Sequence, residues 1–171
     1  ATSISCPGQA SAANSLAKQG MEVTLIEKRP AVGGAMIQVG KVFTPDKMSE
    51  DCAACLLNPV IHEMVHNEHI TLLTNTVLEK STRNSGNFDV ILRKKPDFVD
   101  PEKCTSCGKC TQVCPSYAPD EWNEGLNDRK SIYKPFPQAV PSTYTLDSDS
   151  CIKCGACLNV CPTNAINLDA I

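Results

Sequence analysis

The chain has 171 residues, a hydrophobic fraction of 42%, a charged fraction of 20% and a net charge of −3. This composition is typical of a globular protein, and the small net charge gives no reason to expect a nucleic acid or an anionic membrane as a partner. No apolar run reaches the length of a membrane span, so we expect no insertion into a membrane.

The first 95 residues are predicted to form part of an α/β fold. The chain starts with a short apolar strand at 2–6, a helix of small residues at 8–20 that ends at Gly20, and an alternating β-branched strand at 22–28. Strand, helix, strand is the opening unit of a nucleotide-binding fold. A second helix is predicted at 53–67. Three strands follow at 70–76, 77–83 and 88–94, of which the last two are predicted to form a hairpin.

The dinucleotide fingerprint of this fold is only partly present. Three glycines normally follow the first strand, so that a pyrophosphate can lie on bare backbone at the helix N-terminus. Those positions hold Ile4, Cys6 and Gln9. Glu27 still ends the second strand, where an acidic residue accepts hydrogen bonds from a ribose, and Gly33 and Gly34 follow at a place where a flavin approaches the backbone. The residues therefore indicate a partial FAD/NAD-binding, Rossmann-like scaffold and argue against FAD bound by this chain alone.

A second domain is predicted to begin at the boundary Lys95–Pro96 and to span residues 96–171. It contains "CTSCGKCTQVCP" at 104–115 and "CIKCGACLNVCP" at 151–162, an internal repeat with an offset of 47 residues. The linker at 115–150 contains five prolines, which make long helices unfavourable, and its aromatic residues are expected to pack over the cysteines. These aromatic residues are Trp122, Tyr133, Phe136 and Tyr144.

The spacing of the two cysteine runs predicts two [4Fe–4S] clusters. A C-x2-C-x2-C-x3-C-P run gives three ligands to one cube and its fourth cysteine to the other. The first predicted ligand set is Cys104, Cys107, Cys110 and Cys161. The second is Cys151, Cys154, Cys157 and Cys114. A structural zinc is the alternative, but two four-cysteine runs exceed its needs, and the regular spacing and odd total of 11 cysteines disfavour a disulfide framework. The sequence thus predicts an α+β domain of the bacterial 2[4Fe–4S] ferredoxin type.

A further C-x2-C pair, Cys52 and Cys55, stands at the predicted start of the second helix. It is half of a metal site and is interpreted as part of a third [4Fe–4S] cluster, completed by Cys6 or by cysteines of another chain. A redox-active dithiol and a pair of inert thiols are the alternatives.

Several stretches together resemble the A subunit of heterodisulfide reductase. They are "VTLIEKRPAVGG", "DCAAC", "SGNFDVILRKKPDFVDPEKCTSCGKC", "NEGLNDRKSIYKPFPQAVPSTYTLD" and "CIKCGACLNVCPTNAI". The resemblance covers nearly the whole chain and implies a thioredoxin-reductase-like FAD domain that carries an inserted two-cluster ferredoxin. It also implies that Cys52 and Cys55 belong to another cluster site and that Glu27 is the ribose-binding acid.

The resemblance implies a function in electron transfer. We expect a non-catalytic iron–sulfur subunit of an anaerobic, cytoplasmic oxidoreductase complex, whose partners are other iron–sulfur subunits and flavin or hydrogenase/dehydrogenase-type subunits. The chain stops where family members return to the flavin domain, which suggests a truncated or split form whose sheet is completed by a partner chain. The alternative is a flavoprotein subunit that binds FAD across an interface with a partner chain and splits electron pairs.

Overall fold

The computed structural model describes residues 7–44 and 49–170, which fold as two compact units, residues 1–95 and residues 96–171. The predicted strand at 2–6, and with it Ile4 and Cys6, lies outside the described residues. Within the described ranges, no helix is long and apolar enough to cross a membrane.

The first unit is a mixture of helices and strands. Its elements are α1 (Pro7–Ala17), β1 (Val23–Ile26), β2 (Lys41–Thr44), β3 (Ser49–Cys52), α2 (Ala53–Val65), β4 (Ile70–Leu73), β5 (Thr76–Asn84) and β6 (Asn87–Lys94). A short 3₁₀ helix also lies between β1 and β2, at Gly34–Gln38. Both predicted helices and the strands predicted after residue 20 are confirmed, with ends that differ by a few residues. The β2–β3 pair was not predicted.

Helices α1 and α2 pack against each other through one face each. The buried residues of α1 recur at spacings of three and four, as a helix that faces a core requires: Ala10, Ala13, Asn14 and Ala17. Asn14 donates from Nδ2 to the Val60 carbonyl oxygen at 3.0 Å and to Glu63 Oε2 at 3.2 Å. Because the remaining buried side chains of α1 are alanines, most of the apolar bulk comes from α2, through Leu57, Ile61 and Met64.

Strands β1 and β4 form a parallel pair, in register from Val23–Ile70 to Ile26–Leu73. A parallel pair needs a crossover connection, and here that connection includes α2. The carboxyl ends of the two strands therefore meet at the same edge, where the chain leaves β1 at Glu27 and the Glu27 amide donates to the Leu73 carbonyl oxygen at 2.8 Å.

Strands β5 and β6 form the predicted hairpin across "NSGN". The pairing is antiparallel up to Asn84–Asn87, with a bulge between Leu78 and Lys80. The two turn residues, Ser85 and Gly86, have φ values of 45° and 94°. Such positive values are typical of the two-residue turns whose twist matches that of the flanking strands.

The second unit is made of short elements. They are α3 (Lys109–Val113), β7 (Tyr117–Pro119), β8 (Asp128–Lys130), β9 (Ile132–Tyr133), β10 (Thr145–Leu146) and α4 (Ala156–Val160). Strands β7 and β8 pair antiparallel, as do β9 and β10, and an isolated bridge joins Val99 to Ile166. The linker at 115–150 holds no α-helix, as predicted, but it supplies all four of these strands.

The core of the second unit combines apolar residues with cysteines. Its buried members are Val99, Cys110, Ile132, Cys157, Ala165 and Ile166. Three further cysteines, Cys104, Cys114 and Cys161, are partly buried and pack against them. The centre of this unit is therefore also the place where the two cysteine runs meet.

Candidate metal centre

The two cysteine runs begin with the same backbone arrangement. The amide of Cys104 donates to the Asp100 carbonyl oxygen at 3.0 Å, and the amide of Cys151 donates to the Asp147 carbonyl oxygen at 3.1 Å. Each aspartate lies four residues before the first cysteine of its run. The repeat seen in the sequence is thus a repeat of local structure.

A glycine in the left-handed region starts the short helix in each run. Gly108 has a φ of 78° and precedes α3, and Gly155 has a φ of 75° and precedes α4. A residue with a Cβ pays a conformational penalty there, whereas glycine does not. The helices end at Cys114 and Cys161, so each run turns sharply between its second and third cysteines and carries its fourth cysteine to the far end of a helical turn.

Four cysteines from both runs line one open cavity in the second unit. The empty space in and above this cavity is about 320 Å³, open solvent included. Its wall contains Cys104, Cys107, Cys110 and Cys161. These are the four residues of the first predicted ligand set, three from the first run and one from the second.

The cysteines of the second predicted set are also neighbours. Burial raises the pKa of the Cys157 thiol, and the negative charge of Cys151, Cys154 and Cys114 raises it further. The charges of these three groups affect the pKa of Cys157 because the groups lie near it. In the first set, burial raises the pKa of Cys110 to about 11, with Cys104 adding to the effect. A coordinated metal reverses such shifts, since it deprotonates the thiol that binds it.

Backbone amides donate to sulfurs in both runs. The amide of Ala165 lies 3.3 Å from Cys161 Sγ, and the amide of Lys153 lies 3.4 Å from Cys151 Sγ. Burial opposes ionisation of Cys161, but hydrogen bonds from the Ala165 and Thr163 amides lower its pKa overall. Hydrogen bonds to sulfur are one of the means by which a protein tunes an iron–sulfur cluster.

The donor chemistry fits iron–sulfur clusters better than a single ion. The ten cysteines that the structure describes are free thiols, and soft thiolates suit zinc and iron–sulfur clusters. A zinc ion needs four ligands around one point. The two runs supply eight cysteines, twice the number that one zinc ion takes. A four-iron cube takes one thiolate at each iron, so its ligands stand further apart, around the wall of a cavity.

Cys52 and Cys55 lie together at the start of α2. Cys52 is the N-cap residue, and its Sγ accepts a hydrogen bond from the Cys55 amide at 3.3 Å. The hydrogen bond between the two thiols lowers the pKa of Cys52 and raises that of Cys55. Both side chains are exposed. The pair is therefore accessible, while Cys6, predicted to complete a third cluster, lies outside the described residues.

The residues predicted to contact FAD lie in the first unit. Glu27 is completely buried after β1, and its Oε1 accepts a hydrogen bond from the Arg29 amide at 2.8 Å. Gly33 has a φ of 130°, and Gly34, with a φ of 55°, starts the 3₁₀ helix. Of the three altered fingerprint positions, only Gln9 is described, and it lies within α1.

The linker aromatics differ in where they lie. Tyr144 lines the cavity with the first ligand set, as packing over the cysteines requires. Trp122 instead packs against Phe136, with ring centroids 4.9 Å apart, and Tyr133 lies under the guanidinium of Arg129 at 3.7 Å. A loop position with no regular periodicity gives no sign of which aromatic residue reaches the site.

Sequence reasoning missed the contribution of Arg129. Its side chain is 9% exposed and forms ion pairs with Asp147 at 3.4 Å and with Glu121 at 3.5 Å. The carbonyl oxygen of Asp147 in turn accepts a hydrogen bond from the amide of Cys151. Arg129 thus supports the start of the second run from within the linker, and a single arginine among acidic residues carries no sequence signal for that role.

Two family models, each described as "4Fe-4S dicluster domain", match residues 103–166 and residues 67–118. The first match contains all eight cysteines of the two runs. Together with their arrangement in the core, it assigns two [4Fe–4S] clusters to the second unit.

Curated relatives align with most of the chain, and each is the A subunit of its enzyme. The A subunit of ferredoxin:CoB-CoM heterodisulfide reductase from Methanosarcina acetivorans is 44% identical to this chain over 136 residues. These residues are 80% of this chain and 17% of the relative. The iron-sulfur A subunit of CoB-CoM heterodisulfide reductase from Methanocaldococcus jannaschii is 43% identical over 136 residues, 80% of this chain and 20% of the relative. The A subunit of H(2)/formate:CoB-CoM heterodisulfide,ferredoxin reductase from Methanococcus maripaludis is 43% identical to this chain over 132 residues. These residues are 77% of this chain and 20% of the relative. The chain spans about a fifth or less of the length of these relatives.

Alanine at the two repeat-related glycines is expected to have unequal effects. At Gly155, only the left-handed backbone is strained, which costs about 1–2 kcal/mol. At Gly108 the same strain applies, and the new Cβ also lies 3.0 Å from Tyr144 Oη. Gly108→Ala should therefore lower the temperature at which the cluster absorbance bleaches more than Gly155→Ala does. Combining Gly108→Ala with Tyr144→Phe should remove the difference, and equal losses in the two single variants would contradict the contact.

Proposed function

We propose that this chain, which belongs to the family of heterodisulfide reductase A subunits, is an electron-transfer subunit of an oxidoreductase complex and relays single electrons through its two [4Fe–4S] clusters. The observation that carries the proposal is the cavity whose wall combines three cysteines of the first run with one of the second. Each cluster accepts and releases one electron, at a potential that its protein surroundings set.

The proposed ligand sets are the crossed ones. The first, Cys104, Cys107, Cys110 and Cys161, is supported by the shared cavity. The second, Cys151, Cys154, Cys157 and Cys114, is supported by the electrostatic neighbours of Cys157. The pair Cys52 and Cys55 is assigned to a further cluster whose remaining ligands come from Cys6 or from another chain.

The burial of the cysteines suits a relay. Cys110 and Cys157 are buried in one common core, whereas Cys107 and Cys154, the second cysteines of the runs, are exposed. Each proposed cluster therefore has one side toward the shared core and another toward solvent. The core side favours transfer between the two clusters, and the solvent side gives access to a redox partner.

The proposed partners are other subunits of a redox complex in the cytoplasm. The relatives named above are all A subunits, and two of their names couple the CoB-CoM heterodisulfide with ferredoxin, and one of these also with hydrogen or formate. These names support hydrogenase/dehydrogenase-type neighbours, and we propose further iron–sulfur or flavin subunits beside them.

A second candidate function is that of a flavoprotein subunit, with FAD held between this chain and a partner chain. The specific observation in its favour is the completely buried carboxylate of Glu27 at the carboxyl end of β1, next to the parallel strand β4. In Rossmann-like folds, the ribose of a dinucleotide is bound by an acidic residue at such a strand end. On this interpretation, the first unit is part of the FAD-type scaffold predicted from the sequence.

The relay is tested in the assembled complex with Cys107→Ser. This change is expected to remove one cluster, so that iron falls by about four atoms per chain and electron transfer through the complex stops. Val113→Ala, in the same run but outside the cavity wall, is the matched control and should keep both iron and turnover. Normal turnover by Cys107→Ser would contradict the relay.

The crossed ligand sets are tested in a background with Cys52→Ser and Cys55→Ser, so that only the two runs contribute iron. Replacing Cys104, Cys107 and Cys110 with serine should leave one cluster and about four irons per chain. Adding Cys114→Ser should then change the electron paramagnetic resonance spectrum of the remaining cluster, whereas adding Cys161→Ser should not. The opposite result would mean that each run holds its own cluster.

The flavin candidate is tested with Glu27→Gln in the assembled complex. Loss of a charged hydrogen-bond partner costs about 1.5–3 kcal/mol, so the affinity for FAD should fall by about 10- to 150-fold. Glu22→Gln, at an exposed position paired with His69, is the control and should not change the affinity. The measurement is the FAD released from the purified complex. An equal FAD content in all three proteins would exclude Glu27 from the flavin site.

A further inference from the structure

The two cluster sites have different surroundings even though their cysteine spacing is identical. The residue before the third cysteine is Lys109 in the first run and Ala156 in the second. The same 47-residue offset relates Tyr144, seven residues before the second run, to Asp97, seven residues before the first. Only one of these two repeat-related positions therefore carries a phenol, that of Tyr144. The structure places Tyr144 at the first ligand set.

Tyr144 approaches the first run closely. Its side chain is half-buried, packs against the core that contains Cys110, and lines the cavity with the first ligand set. Tyr144 Oη lies 3.0 Å from the position that a Cβ on Gly108 would occupy. At the equivalent Gly155, the nearest atom is Leu158 Cδ1, at 4.0 Å. A hydroxyl thus stands at the first run where the second run meets a methyl group.

The segment that carries Tyr144 is attached to the first run. Ser106, within that run, donates from Oγ to the Ser142 carbonyl oxygen at 3.0 Å. Lys134 donates from Nζ to Ser142 Oγ at 3.1 Å. On the other side, Tyr144 leads directly into β10, whose pairing with β9 fixes its position. The phenol is therefore held at the cavity from both ends of a short segment.

We propose that Tyr144 is a positioning residue whose hydroxyl raises the reduction potential at the first ligand set relative to the second. Reduction adds a negative charge, and the dipole of a hydroxyl in the wall of the same cavity stabilises that charge. Gly108 makes the approach of the hydroxyl to the backbone feasible. This inference rests on the proposed function, because it takes Cys104, Cys107, Cys110 and Cys161 to hold one cluster.

The test is Tyr144→Phe in the intact protein, which keeps the ring and removes the hydroxyl. Cys52 and Cys55 are both replaced with serine in all samples, so that only the two clusters of the second unit remain. Their two midpoint potentials are measured by redox titration followed by electron paramagnetic resonance, with iron counted in the same samples. One potential is expected to fall, the other to stay unchanged, and iron to remain at the wild-type level. Tyr133→Phe is the matched control, because its ring lies under Arg129 and is not part of the cavity wall. It should leave both potentials unchanged.

The variant Lys109→Ala distinguishes the effect of the Tyr144 hydroxyl on the reduction potential from the effect of the Lys109 charge. Lys109 also lines the cavity but is exposed, so any effect of its charge should shrink as salt is added. The effect of Tyr144→Phe should persist in high salt, since the hydroxyl acts at short range.

The results distinguish failure of the inference from failure of the proposed function. Unchanged potentials in Tyr144→Phe, with full iron content, would overturn the inference and leave the relay standing. A shift of both potentials, or a fall in Lys109→Ala alone, would also overturn it. A wild-type protein without reducible clusters would overturn both proposals.

Discussion

The burial of metal-binding thiols in a shared core is the constraint on which the second unit depends. Cys110 and Cys157 occupy the middle of this unit beside Ile132, where larger domains place only apolar side chains. A domain of this size buries too little apolar surface to be robust by itself, and metals commonly supply the missing stability. Here cysteines that are proposed as ligands lie in the core, so the free energy of cluster binding would also be free energy of folding.

This constraint accounts for the other features of the unit. The left-handed glycines Gly108 and Gly155 turn each run so that its third cysteine points inward. The linker, predicted as a long connection, instead forms four short strands that bring Ile132 into the core. Arg129 holds the linker to Asp147 and so to the start of the second run. Each of these contacts serves to fix where the cysteines lie.

The sequence predicted the parts of the structure that follow from local patterns. Cysteine spacing predicted that Cys104, Cys107, Cys110 and Cys161 come together, and these four residues line one cavity. A helix at 53–67 was predicted and corresponds to α2, and the residues "NSGN" predicted the β5–β6 hairpin. The β2–β3 pair and the short linker strands were missed because they have no sustained alternation. The sequence predicted that linker aromatics pack over the cysteines but not that Tyr144 is the one in the cavity wall, since its position depends on the pairing of β9 with β10 and on a side-chain contact from Ser106 to Ser142.

The crossing of the fourth cysteines has a consequence for the way in which the protein matures. Cys157 lies within α4 and Cys161 ends this helix, yet the proposed ligand sets assign the two cysteines to different clusters. Filling one site therefore immobilises the helix that carries a ligand of the other. The first cube to be inserted would then order part of the second site, so the second cube should be inserted faster than the first. In the proposed arrangement, the two halves of the repeat depend on each other during maturation, although each carries four cysteines.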